Sequence, residues 1–148
     1  MRRLRKEKKV KTEKIKTEKI TISLTPTEVG QIDYLVERGL YTNRSDFIRT
    51  AIRKQTDIHV GDINRFLSPE VPETEHLRYF GGLGLMRLTL PFIESLLTFN
   101  AKLHVSVVGA LTIEKTITRE QLSQVMVSCK VFGKIFAEEE IRQFIKDL

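Results

Sequence analysis

The stretch KITISLTPTE, Lys19 to Glu28, decides how this chain must begin to fold. Ile20, Ile22 and Leu24 alternate with Lys19, Thr21 and Ser23, and a period of two predicts a strand with one apolar and one polar face. Thr25-Pro26-Thr27-Glu28 then supplies a helix start: Thr25 as cap, Pro26 at the first helical position, Glu28 to close a capping box. Val29, Ile32, Leu35 and Val36 follow helical spacing, and Gly39 is placed to end that helix.

Working backward, the word KTEKI is written twice, at 11–15 and 16–20. The second copy opens the strand. Ile15 lies an odd number of residues before Ile20, so a longer strand would turn it onto the polar face. The first copy therefore reads as tail. Residues 1–19 contain ten Lys or Arg and three Glu, a net +7, so a chain of +6 overall carries −1 beyond them. Such an arm suits a polyanion, and double-stranded nucleic acid rather than a membrane, because nothing amphipathic accompanies it. Arg2, Arg3, Arg5, Lys6, Lys8 and Lys9 are the expected nonspecific contacts. A solubilising leader is the alternative.

Working forward, Asn43-Arg44-Ser45-Asp46 starts a second helix, with Asn43 as cap and Asp46 near the positive end of its dipole. Phe47, Ile48, Ala51 and Ile52 make its buried stripe, with Arg49, Arg53 and Lys54 mostly on the other side. Strand, helix and helix in fewer than forty residues cannot bury enough surface to stand alone, and an unpaired strand exposes backbone along both edges. The economical solution is a two-fold dimer whose strands pair antiparallel over four helices.

At this point KITISLTPTEVGQIDYLVERG followed by YTNRSDFIRTAIRK resembles the ribbon-helix-helix DNA-binding family, the group of the Arc, MetJ and CopG repressors. The resemblance spans about forty residues, and family members often carry Arg or Lys where Lys19 stands. It implies a two-stranded ribbon in the major groove, where each base pair shows a distinct donor and acceptor pattern. The outward Lys19, Thr21 and Ser23 are the expected base readers; a merely solvated strand face is the alternative. Asn43, Arg44 and Ser45, at the start of the second helix, form an anion site suited to a backbone phosphate, which would position the ribbon rather than specify sequence. An ordinary helix cap is the alternative there. The resemblance also allows accessory roles in plasmid partition, relaxosome assembly or toxin neutralisation.

The second half is richer in shape than in chemistry. Residues 57–76, with two prolines and several acids, read as a connector with a short ordered piece near Ile63 to Leu67. Beyond it Gly84, Gly109 and Gly133, spaced 25 and 24 residues apart, each precede alternating apolar residues. Helix-like pieces follow at Pro91 to Asn100, at Thr118 to Met126 with a Thr118/Gln121 capping box, and at Ala137 to Leu148 with an acidic first turn. Three such units suggest a small parallel strand-and-helix repeat. Chance periodicity in a compact α+β domain is the competitor.

The expected organisation is α+β: a basic disordered arm (1–18), a ribbon-helix-helix unit (19–57), a linker (58–76) and a C-terminal α/β oligomerisation or effector domain (77–148). Charge and hydropathy place the chain in the cytoplasm, since no apolar run approaches the ~18 residues of a membrane span. One cysteine, Cys129, permits no internal disulfide. His59, His76, His104 and Cys129 match in number the ligands of the nickel-responsive members of the resembled family. Their separations of 17, 28 and 25 residues do not form a compact motif, so no metal and no cofactor is expected. Phe80-Gly81-Gly82-Leu83-Gly84 lacks the Lys-Ser/Thr ending of a phosphate loop and reads as a turn. No nucleophile–base or paired-carboxylate arrangement stands out, so the chain is not expected to be an enzyme. The reading is a sequence-specific transcriptional regulator, a repressor, acting as a homodimer, tetramer or higher oligomer. A structural assembly protein driven by the C-terminal repeat is the rival.

Overall fold

The structure is a computed structural model and describes residues 17–68 and 76–148. The fold is mixed α+β, and the chain divides into two compact units, one up to Thr50 and one from Ala51.

In the first unit, helix α1 (Pro26–Glu37) starts where Thr25 predicts. The Thr25 hydroxyl accepts from the Glu28 N–H at 3.4 Å, and the Glu28 carboxylate accepts from the Thr25 N–H at 2.7 Å. Those two bonds satisfy donors that the helix itself leaves unpaired. The helix ends in a Schellman motif: Gly39, at φ +74°, donates to the Val36 carbonyl and Leu40 to that of Leu35. Helix α2 (Arg44–Ile58) begins after Asn43 and crosses the division between the units. Ile32 is this unit's one buried side chain among the described residues, while Val29, Leu35, Val36, Phe47 and Ile48 are half-buried. Tyr41 packs edge-on against Phe47, with ring centres 5.0 Å apart.

Among the described residues no strand lies beside residues 17–25, and within the single chain that segment forms no ladder. Ala51 and Ile52, expected in the buried stripe of α2, are exposed in the single chain. Both lie on the surfaces for which the sequence calls for a second copy.

In the second unit, helix α3 (Val60–Leu67) occupies part of the segment read as a connector. Strand β1 (Leu77–Leu88), helix α4 (Leu90–Thr98), strand β2 (Lys102–Ile113), helix α5 (Arg119–Val125), strand β3 (Met126–Phe136) and helix α6 (Glu139–Lys146) then follow in strict alternation. The sheet is parallel throughout, in the order β1-β2-β3. Buried Leu103, Val105, Val107, Leu111 and Ile113 alternate along β2 and turn one sheet face to the helices. They meet Ile93, Leu96, Leu122, Val125, Ile141 and Ile145 in one core. The Thr118/Gln121 capping box forms as the sequence predicts, and α4 ends on Asn100 at φ +49°. Phe66 of α3 lies 5.1 Å from Phe132, whose neighbour Val131 faces the core, so α3 covers part of the opposite sheet face.

The three repeat glycines sit in the middle of the strands rather than before them. The register pairs Gly84 with Gly109 and Gly109 with Gly133. All three have positive φ (+109°, +135° and +137°). Each strand therefore begins at least seven residues earlier than its glycine suggests. Phe80 to Gly84 is strand as well, not a turn; at Gly81 any side chain would strike the Ser106 carbonyl of the adjacent strand.

Candidate nucleic-acid interface

Lys19, Thr21 and Ser23 are exposed in the segment leading into α1, on alternate residues from Ile20, Ile22 and Leu24. Those three apolar residues are also exposed, by 80, 53 and 39%. The segment thus presents a hydrogen-bonding edge, with an ammonium and two hydroxyls, and an apolar edge that one chain leaves in water. Its C-terminal end is fixed by the Thr25 cap, and the Glu28 carboxyl is held below its ordinary value chiefly by the Thr25 N–H. Arg2, Arg3, Arg5, Lys6, Lys8 and Lys9 lie outside the described residues.

At the start of α2 the three predicted phosphate residues part company. Asn43 is a cap: its Oδ1 accepts from the Asp46 N–H at 3.0 Å, while Asp46 turns back to accept from the Thr42 N–H at 3.0 Å. The N–H groups of Arg44 and Ser45 head the helix, where no intrahelical carbonyl can reach them. Arg44 has a second engagement that the sequence did not suggest. Its Nε and Nη2 donate to Oδ1 and Oδ2 of Asp33, both at 2.6 Å, a two-pronged ion pair that ties α2 to α1. The pair holds the Asp33 carboxyl below its usual value, first through that hydrogen bond, and raises the Arg44 guanidinium. The one charged side chain of the three is therefore already paired with a carboxylate. The anion site proper rests on the helix start, Asn43 and Ser45.

The second unit assembles no comparable site. Among the described residues no group of three His, Cys, Asp or Glu could hold a metal ion. His104 instead shares a 2.6 Å hydrogen bond between its Nδ1 and the Ser128 hydroxyl and stacks on Tyr79 at 5.4 Å. Burial pushes the Cys129 thiol up to about 11, so it is not a thiolate at neutral pH. No helix among the described residues is long and apolar enough to cross a membrane.

Residues 15–142 match the Ribbon-Helix-Helix transcriptional regulator family, and the chain belongs to that family. It is similar to the transcriptional regulator CdrS of Halobacterium salinarum, at 36% identity over 40 residues, 27% of this chain and 73% of that protein. No solved structure matches. The family match extends far past the forty residues that carry the sequence resemblance, and so takes in the three-stranded sheet as well.

Proposed function

We propose that the chain is a sequence-specific DNA-binding repressor whose reading head is a ribbon built from two copies of Lys19–Leu24. The observation that carries this reading is the two-sided character of that segment. It is polar on one edge, apolar and 39 to 80% exposed on the other, and stands directly before a capped helix. Pairing two copies antiparallel buries Ile20, Ile22 and Leu24 over the four helices and satisfies both backbone edges. It leaves Lys19, Thr21 and Ser23 from each copy facing outward. Lys19 then donates to guanine O6 or N7, and the hydroxyls donate or accept. The start of α2, with Asn43 and Ser45, takes a backbone phosphate and fixes the register. Arg44, held by Asp33, orients the two helices. The basic arm adds phosphate affinity without sequence preference, so its removal reduces the salt dependence of binding and leaves the preferred sequence unchanged. In this organisation 19–57 reads DNA, 58–76 connects, and 77–148 serves assembly or effector control. Repression follows from occupying an operator.

Selection of bound duplexes from a random pool, with the full-length protein and with Thr21→Ala/Ser23→Ala, at two salt concentrations, tests this. A palindromic site that the native protein selects and the variant degrades supports the ribbon as reader. Binding without sequence preference that fades with salt leaves only the arm active on DNA and overturns it.

A further inference from the structure

Among the described residues the sheet of the C-terminal unit has two edges without a neighbouring strand. β1 and β3 each hydrogen-bond to β2 on one side only. These are long edges, of twelve and eleven residues, and neither contains proline. Proteins normally shorten or interrupt such edges, because they template pairing with another chain.

The glycine row shows what these edges fit. A side chain at Gly109 would collide with the Gly84 carbonyl, and one at Gly133 with the Gly109 carbonyl. Each glycine thus makes room, on the side of the preceding strand, for that strand's carbonyl oxygen. Gly84 adopts the same backbone, at φ +109°, but no described residue comes within 4 Å of the place its side chain would take. It repeats the recess on the free edge of β1. By the same repeat, the Gly133 carbonyl projects from the free edge of β3. One edge carries the recess and the other the group that fills it.

We propose that β3 of one copy pairs parallel with β1 of a second copy, Gly133 beside Gly84, so that the sheet continues head to tail. The side chains agree with this register. On the face opposite the main core, where Phe66 of α3 packs edge-on against Phe132, the residues Leu83, Val108 and Phe132 form one row across the sheet. Leu83 and Phe132 at its ends are 69 and 57% exposed, while Val108 between them is half-buried. The junction sets Phe132 beside the next copy's Leu83, so that each gains a second in-row neighbour across the sheet, as Val108 has. In the flanking rows it sets Lys130 beside Gly81 and Lys134 beside Leu85. A two-fold pairing of β3 with β3 about Phe132 would instead bring Lys130 opposite Lys134, which like charge disfavours. The contact is therefore heterologous, and it builds a ring if the rotation closes and a filament if it does not. It does not depend on the DNA-reading proposal. Where both hold, neighbouring dimers on DNA are linked through their C-terminal units.

Disulfide trapping in the full-length chain, with Cys129→Ala as background, tests the register. Leu85→Cys and Lys134→Cys are made in separate proteins; both positions are exposed, and matching thermal unfolding establishes that the variants fold. Within one chain these positions stand two strand spacings apart, roughly 9–10 Å, beyond the ~7 Å span of a disulfide. The expected result is a covalent pair when the two proteins are mixed and oxidised, none from either alone, and a ladder of multimers from the double variant. Sedimentation of the native chain should show species larger than a dimer, lost in Leu85→Lys. Cross-linking by either single variant alone as efficient as the mixture, or no cross-link with a closed dimer at every concentration, overturns the proposal.

Discussion

The two halves of this molecule spend their apolar residues in opposite ways. Among the described residues the N-terminal unit buries one side chain, Ile32, and exposes Ile20, Ile22, Leu24, Tyr34 and Leu40. The C-terminal unit buries fifteen in one contiguous core. A strand and two helices cannot enclose a core, so on the proposed reading the first unit is completed by a second copy. Three strand–helix units can enclose one, and do. The half that is incomplete alone carries the groups suited to DNA. The half that is complete alone carries no metal cluster and no reactive thiolate among its described residues.

That contrast can be broken most sharply at Ile22. Full burial of an isoleucine contributes roughly 1.5–3 kcal/mol, and the dimer contains two copies. Ile22→Asp should therefore lower affinity for a selected duplex by two orders of magnitude or more, while the C-terminal unit unfolds at an unchanged temperature. A titration by fluorescence anisotropy and a thermal scan read the two parts. The mirror experiment is Leu122→Ala, at a fully buried position, which should cost about 2–5 kcal/mol of C-terminal stability in denaturant unfolding and leave the choice of DNA sequence unchanged.

Smaller effects sharpen the comparison. Thr21→Ala and Ser23→Ala should each remove roughly 1–3 kcal/mol of discrimination at the base pairs they touch, measured as the affinity difference between the selected and a mutated duplex. Neither should alter thermal stability. Thr118→Ala, which removes the cap of α5, should destabilise the C-terminal unit by about 1 kcal/mol and nothing else. The smallest effect is the acid response of the Asp33–Arg44 pair. The folded Asp33 value is depressed, so its contribution is complete at neutral pH and lost only as pH falls through that lowered value. Unfolding as a function of pH should show the native chain converging on Asp33→Asn in acid, with the variant the less stable near neutrality.

What the sequence made legible was local. Both capping boxes, the end of α1 at Gly39 and the acidic start of α6 follow from residues within one helical turn of each other. The repeat was legible as a spacing of glycines, and its meaning was not. Glycines inside strands read as loops, so the first seven residues of β1 were hidden, and only the register shows that the three stand in one row. The Arg44–Asp33 pair was invisible for a related reason. Eleven residues separate its members, and only the angle between two helices brings them to 2.6 Å. At the ribbon the alternation was legible, while the pairing proposed for it requires two chains.

Amide hydrogen exchange of residues 19–24 in the full-length protein, at concentrations above and below the dimer's dissociation constant, tests this account most directly, with β2 of the same chain as internal reference. The account predicts strong protection of 19–24 at high concentration that disappears on dilution, against constant protection of β2. Exchange of 19–24 at unstructured rates at both concentrations would contradict it, because no ribbon would then exist to read DNA.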